Sequence, residues 1–393
     1  MPHVLRLVLG LLLVSPLVAQ RDIGDVVVAG DTQVASVTIG ASSTELQNLA
    51  LRAFSTHGRF RPVASGGSYK FTFTAAGANQ VTVAITRGSA ATPVHTETVT
   101  GASLRQALLK AADVAVIKTT GLKGYFAGRL AFVSDRGGQQ TILTGDLFFG
   151  EVLSHPVQGK QIIGPRWSPD GGRIIYTSYR TGFPDIYVLD LRTHQQNVFA
   201  SFKGTNSGAQ FSPDGSRVAM VLSGEGNPEV YVSNAQGRQI KRLTNTAAIE
   251  SSPVWSPDGS RLLYVSDAAG GPQLYVMSAA GGAPTRLPTN ISGHCTEPTW
   301  STGDPNKIAF TARVGKGFQV AVYDMAKRVS KIVTKAPTDA IEPVWLPDGR
   351  HLLCTYRSAG SRSIYLIDTE TSKAVQISPA ALGNASGASY LPR

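Results

Sequence analysis

One turn recurs through the last two-thirds of the chain: Trp167-Ser168-Pro169-Asp170-Gly171. It returns as Phe211-Ser212-Pro213-Asp214-Gly215, as Trp255-Ser256-Pro257-Asp258-Gly259 and as Trp345-Leu346-Pro347-Asp348-Gly349, with a degraded copy at Trp300-Ser301-Thr302-Gly303-Asp304. The aromatic positions 167, 211, 255, 300 and 345 are 44, 44, 45 and 45 residues apart. Proline presets the first corner of a tight turn, aspartate bonds back to nearby backbone, and glycine takes the positive φ that closes it. The aromatic residue anchors the end of the strand entering the turn. A period of this length, with short strands inside each copy, is the pattern of a β-propeller blade.

The same succession follows every turn. A basic residue opens a second strand at Arg173–Tyr176, Arg217–Met220, Arg261–Tyr264, Lys307–Phe310 and His351–Cys354. A third follows at Ile186–Leu189, Val230–Val232, Leu274–Met277, Val320–Tyr323 and Ile364–Ile367, and a short fourth at Lys241–Thr244 and Val375–Ile377. These runs are rich in β-branched and aromatic residues and bounded by turn formers, so four strands per unit is the expected count. The array begins at Arg129–Val133, a second strand without a first, with Ile142–Leu147 and Gln161–Ile163 read as its third and fourth. It ends with Tyr390, 45 residues beyond Trp345 and in the phase of a first strand. The missing strand and the spare one imply a six-bladed ring over residues 126–393, closed by the C-terminal strand near Tyr390.

Residues 20–125 carry no repeat and read as a small α+β domain. Strands are expected at Val34–Ile39, Tyr69–Thr74, Gln80–Thr86 and Val94–Val99. Ser42 and Glu45 have capping-box spacing before a helix whose Leu46, Leu49, Ala50, Ala53 and Phe54 share one face. A second helix is expected from Ser103 to Lys118, stopping before Gly121. The fold class is therefore a C-terminal all-β six-bladed β-propeller with a small N-terminal α+β domain. Before it, His3 and Arg6 precede an apolar run from Leu7 to Val14 and then Ser15–Ala19. That is the pattern of an export signal over residues 1–19, cleaved near Ala19 or Gln20 and with no cysteine for a lipid anchor. An exported chain, monomeric by itself, is the expectation.

The chemistry-bearing residues are sparse. The formal charge is +11, yet basic residues are spread over strand starts and turns with no run of five, which argues against a nucleic-acid partner. Cys295 and Cys354 fall in different phases of adjacent blades, and free buried thiols are expected. The seven histidines, at 3, 57, 95, 155, 194, 294 and 351, lack the spacing of a zinc pair, and no G-x-S-x-G elbow is present. No enzymatic activity and no cofactor are expected. Asp170, Asp214, Asp258 and Asp348 repeat, but the turn accounts for each, so they are assigned to structure with Trp167, Gly171, Gly215, Trp255, Gly259, Trp345 and Gly349. His294 sits beside an expected rim loop. Glu297 and Glu342 lie three residues before their blade aromatics, and Glu250 lies five before its own. Their position just ahead of the first strand places them on one rim of the channel. They are read as a polar rim capping backbone donors, as an acidic collar for a partner's basic groups, or as a cation site. The competing classes are a propeller hydrolase or metal-dependent enzyme with converging carboxylates, and an exported peptide- or glycan-binding module.

The segment from Val116 to Phe126, with Arg129–Val133 after it, resembles the hinge of the TolB family, the periplasmic propeller proteins of the Tol–Pal envelope system. Gly58-Arg59-Phe60-Arg61-Pro62 resembles that family's strand after its first helix, and the order of parts matches over the whole mature chain. Thr296-Glu297-Pro298-Thr299-Trp300 resembles the rim stretch by which the family binds Pal. The resemblance implies a periplasmic, non-enzymatic interaction protein linking inner-membrane Tol components to a peptidoglycan-associated lipoprotein, for outer-membrane integrity and cell division. It also implies a tail, here Asp22–Gln33, that pairs as a strand with another Tol component, and a TolA-like inner-membrane partner bound through the N-terminal domain or that tail. Val26-Val27-Val28 has the β propensity for strand addition, although the family's tail pattern is not visibly kept.

Overall fold

The computed structural model describes residues 34–159 and 161–393, together with the backbone of Asp22–Ile23 and Val26–Val27, which pair with each other as antiparallel strands. The export signal at 1–19 and most of the tail lie outside the described residues.

Five strands form the N-terminal sheet, in the order Phe60–Pro62, Ala35–Ala41, Tyr69–Gly77, Gln80–Arg87, His95–Thr100. The first three run parallel and the rest antiparallel. Tyr69, Phe71 and Phe73 alternate inward with Val81, Val83 and Ile85, as a sheet with one covered face requires. Helices α1 (Thr44–Thr56) and α2 (Leu104–Thr120) cover that face. The buried residues of α1 are Leu46, Leu49, Ala50, Ala53 and Phe54, the face read from the sequence. Its cap is not Ser42 but Ser43, whose hydroxyl accepts the Leu46 N–H at 3.3 Å. Ser42 instead accepts the Ala75 N–H from the sheet. Helix α2 ends on Gly121 at φ 71°, a left-handed position that glycine takes without a Cβ penalty.

Six four-stranded antiparallel sheets make the propeller, each in the order first, second, third, fourth from the channel outward. Blade I is composite. Asn384–Leu391 pairs with Arg129–Arg136, with Ser386 opposite Val133 and Tyr390 opposite Leu130, so the C-terminal strand closes the ring. The fourth strand of blade I is Leu153–His155. Of residues 161–163, expected to supply it, Ile162 and Ile163 instead open the first strand of blade II, Ile162–Trp167. The outermost position is set by pairing alone, and Leu153-Ser154-His155 carries no strand pattern of its own.

The cores lie in the seams between blades. One cluster joins Ile175 and Ile186 of blade II to Phe211, Val218 and Met220 of blade III, and similar clusters fill the other seams. The basic residue opening each second strand reaches across: the guanidinium groups of Arg129, Arg173, Arg217 and Arg261 lie 4.6–5.1 Å from the ring centroids of Trp167, Phe211, Trp255 and Trp300. At the next seam Lys307 donates to the Gly349 carbonyl at 3.0 Å. Each cation–π contact contributes about 0.5–2 kcal/mol. The seam between blades VI and I differs, because its core is continuous with that of the N-terminal sheet and helices. Leu353, Ile364 and Leu366 of blade VI and Leu130 and Phe132 of blade I share a cluster with Phe54, Phe126 and Phe148. Tyr390 crosses the same seam and donates its hydroxyl to the Tyr125 carbonyl at 2.7 Å.

Removing residues 390–393 deletes this contact and the last ladder pairs. The loss is expected to cost about 3 kcal/mol, as for other large aromatic truncations, and to lower the thermal midpoint by roughly 6 °C or more. An unchanged melting curve for the truncated chain would contradict ring closure through this strand.

Candidate functional site

Every innermost strand carries a bulge three residues before its terminal aromatic. The ladder skips between Ile163 and Arg166, Ser207 and Gln210, Ser251 and Val254, Thr296 and Thr299, Ile341 and Val344, and Ser386 and Ser389. The bulged residues all have positive φ: Gly164 56°, Gly208 64°, Ser252 50°, Glu297 50°, Glu342 55° and Gly387 63°. Glycine is the ordinary occupant of such a bulge. Glutamate in this conformation is uncommon and costs about 1–2 kcal/mol. Three consecutive blades, IV to VI, hold a non-glycine residue there, Ser252, Glu297 and Glu342, and the last two are the glutamates.

The expectation of a rim loop ahead of the strand is thereby corrected. Thr296, Glu297 and Glu342 lie inside first strands, and the bulge turns the two glutamates into the channel, where they line a cavity of about 260 Å³ with Arg166 and Ser252. The carboxylates bridge blades. Oε2 of Glu297 accepts the Thr311 hydroxyl at 2.7 Å and the backbone N–H of Glu342 at 2.9 Å. Oε2 of Glu342 accepts the Thr355 hydroxyl at 2.8 Å and the backbone N–H of Gly387 at 2.9 Å. Burial, and then the neighbouring charge of Glu342, push the Glu297 carboxyl up from its ordinary range. Arg166 enters from blade II, across the ring from blade V. Burial pulls its pKa down, and the negative charges of Glu342 and Glu297 oppose that pull. Nothing in the sequence around Arg166 singled it out. The glycines at 164, 208 and 387, in phase with the two glutamates, were the available signal for the bulges.

The other candidates lie elsewhere. Thr296 is half-buried in the ladder opposite Thr311. His294 is half-buried just before that strand, its ring 5.4 Å from Phe318. Glu250 does not join the channel pair. It is buried at the start of its strand, with Oε1 held by the Thr246 and Ser266 hydroxyls and its carboxyl against that of Glu229. Its neighbour is Glu229, at the start of a third strand in the preceding blade, which is ion-paired to Arg242 at 2.8 Å. Burial and the adjacent Glu229 push the Glu250 carboxyl up to about 7. The three carboxylates therefore do not converge. Cys295 and Cys354 are both buried free thiols.

Asp348 is not only a turn residue. In the other copies a serine hydroxyl bonds the aspartate, as Ser168 does Asp170, Ser212 Asp214 and Ser256 Asp258. Leu346 replaces that serine, and Asp348 is instead buried against His351, with Oδ2 2.6 Å from Nδ1. His351 Nε2 accepts the Gly58 N–H from beyond α1, and the His57 and His351 rings meet at 4.7 Å. Burial would raise the Asp348 carboxyl, but the two histidines hold it down at about 2. Burial also lowers His57 well below its ordinary value, and His351 adds to that. Beside them Arg350 grips Asp368 at 2.7 and 2.9 Å. His57, Asp348 and His351 offer ligand atoms within 4.8 Å of one another. Both nitrogens of His351 are engaged, however, and Nδ1 of His57 accepts the Arg59 N–H, which leaves the His57 proton on Nε2. His57 Nε2 is buried and finds no partner among the described residues. The arrangement is a buried contact joining the N-terminal elements to the propeller face that bears the first-to-second strand turns.

Comparison with known proteins places this geometry. The family described as "TolB beta propeller domain" matches residues 116–390. The crystal structure of TolB from Acinetobacter baumannii superposes with a TM-score of 0.82, at 26% identity, covering 92% of this chain and 98% of that one. The Tol-Pal system protein TolB of Azoarcus sp. (strain BH72) is 42% identical over 108 residues, 28% of this chain, and that of Methylobacillus flagellatus is 39% identical over 109 residues, also 28% of it. Each match spans 25% of the relative's length.

Two measurements test the site. Glu342→Gly relieves the backbone strain but loses the two carboxylate bonds, at a net cost of about 2 kcal/mol. Glu342→Ala loses the bonds and keeps the strain, costing roughly 1 kcal/mol more. Denaturant melts should therefore rank wild type above Gly above Ala. For Glu250, the folded chain binds a proton that the unfolded chain releases between about pH 4.5 and 7, so this carboxyl makes stability fall as pH rises through that window. Glu250→Gln should remove that slope, and an unaltered stability–pH curve would refute the raised carboxyl.

Proposed function

Because the chain belongs to the TolB β-propeller family, we propose that it is a periplasmic, non-enzymatic interaction protein of a Tol–Pal-like envelope complex. In this reading the division of labour follows residues 20–125 and 126–393. The propeller channel receives a peptidoglycan-associated lipoprotein resembling Pal. The N-terminal part or its tail engages a TolA-like inner-membrane protein, and the link serves outer-membrane integrity and cell division.

The observation that carries the proposal is the retained strain at Glu297 and Glu342. Backbone conformations of this cost persist at sites where the side chain is needed, and Thr296-Glu297-Pro298 is the stretch whose family resemblance points to Pal. A closed ring presents these strands with little ordering cost on binding. Thr296, Glu297, Glu342 and, at the edge, His294 are the proposed contacts. Glu250 contributes from within the wall, by holding the seam between blades III and IV. The non-enzymatic reading is supported by the hydrogen bonds of Glu297 and Glu342, whose Oε2 atoms are committed to threonine hydroxyls and backbone N–H groups rather than poised for proton transfer.

The test is calorimetric titration of the host's own Pal homologue into wild type and Glu297→Ala. Wild type should bind, and the substitution should weaken binding by about 2 kcal/mol or more, roughly 30-fold, with the fold verified by circular dichroism. Absence of binding to wild type would defeat the partner assignment, and unchanged affinity in the variant would defeat the site.

A further inference from the structure

Arg166 and the two channel glutamates face one another without meeting. Arg166 donates from Nη1 to the Pro165 carbonyl at 3.1 Å and more weakly to that of Ala388 at 3.4 Å. Among the described residues its Nε and Nη2 find no acceptor in the chain, and no ion pair joins it to Glu297 or Glu342. The glutamates mirror this arrangement. Oε2 of each is saturated by a threonine hydroxyl and a backbone N–H, while Oε1 of each takes no hydrogen bond from the described residues. The cavity of about 260 Å³ thus has spare donors on one wall and spare acceptors on the other.

The chemistry of an occupant follows from that pairing. A cation would satisfy the carboxylates and be repelled by Arg166, which it would leave unpaired. An anion would do the reverse. Each would desolvate a like charge, the costly outcome in a narrow site of low dielectric. A primary carboxamide has an acceptor at one end and two donors at the other, and it carries no charge. Its carbonyl can take the guanidinium N–H groups while its NH₂ donates to Glu297 and Glu342. The walls beside it include Pro253, Pro298 and Pro343, apolar surfaces without backbone donors to compete.

We propose that this section of the channel is a carboxamide subsite, which takes an Asn or Gln side chain of the segment bound in the channel, oriented by Arg166 on one side and by Glu297 and Glu342 on the other. The inference rests on the reading of the channel as a partner-binding site and refines it: the specificity contact is a neutral amide rather than a basic side chain.

Small probes test this without the partner. Acetamide, methylammonium and acetate, at matched ionic strength, are titrated into the full mature chain. Binding is read from the backbone amide resonances of Glu342 and Gly387, whose N–H groups bond the two carboxylates. Four non-hydrogen atoms well matched to a site should bind at about 0.1 M or tighter. Acetamide is expected to bind at least tenfold more tightly than either ion. Arg166→Met should abolish that preference, and Arg166→Lys, which keeps the charge without the fork, should weaken it. If Arg166→Met does not fold, the Lys variant and the probe ranking on wild type still decide. Equal or better binding of methylammonium or acetate, no acetamide response, or an acetamide response unchanged in the variants would each overturn the subsite. If a Pal homologue binds without an amide preference in the channel, this inference alone fails. If acetamide binds as described and Pal does not, the partner reading fails and the subsite stands.

Discussion

The structure depends on side chains packed between neighbouring blades. A single blade buries too little to stand alone, and its edge strands are short, so the ring is stable only when every seam is filled. Four seams use the same device, an arginine from one second strand laid over the aromatic of the next blade, and the fifth uses Lys307 on the Gly349 carbonyl. The sixth cannot. Its basic position is His351, which turns toward His57 and Gly58. Tyr125, Phe126 and the α1 residues complete that seam instead, so the N-terminal elements are part of the ring's closure. Asp113 of α2 reinforces this by accepting the backbone N–H groups of Phe126 and Ala127 at 2.7 and 3.0 Å, which fixes the hinge where the chain enters blade I.

Around the channel the same repetition is used and then broken. Six bulges widen and twist the innermost strands at one level, and three are glycine, the residue that accepts positive φ without strain. Two are glutamate, on adjacent blades, and each reaches to the bulge of the following blade to receive its N–H. These bonds repay part of the backbone strain and tie blades V, VI and I together at the channel wall. They also leave one oxygen of each carboxylate without a hydrogen bond from the described residues, in the cavity that Arg166 lines with them. Symmetry makes the pore, and departures from symmetry give it a polarity.

Much of this was legible in the sequence. The turn chemistry of Trp-Ser-Pro-Asp-Gly is local, so four copies at one period read directly as blades, and Tyr390 in phase with Trp345 announced the closing strand. The resemblance of the hinge and of Thr296–Trp300 pointed to the family whose description matches residues 116–390. Errors fell where the deciding partner is distant in sequence. Ser42 and Ser43 are equally good caps until the sheet claims Ser42. Residues 161–163 look like any short outer strand. Glu250 sits two residues earlier in its blade than Glu297 and Glu342 in theirs, and that offset sends it to Glu229 rather than to the channel.

The sequence by itself determined the number of blades, their turns and the strand that closes them, because each is encoded within a few residues or by a constant spacing. It also placed Glu297 and Glu342 in one phase. What those residues do was decided only by tertiary structure. The bulge that gives the glutamates positive φ depends on pairing with a neighbouring strand. The guanidinium facing them comes from blade II, more than a hundred residues away in the chain. Asp348 shows the same division: its turn is local, but its burial follows from a histidine of the N-terminal segment, 291 residues earlier, packing on His351. Local geometry is written in neighbouring residues, whereas electrostatic partnership is set by which surfaces the folded ring brings together.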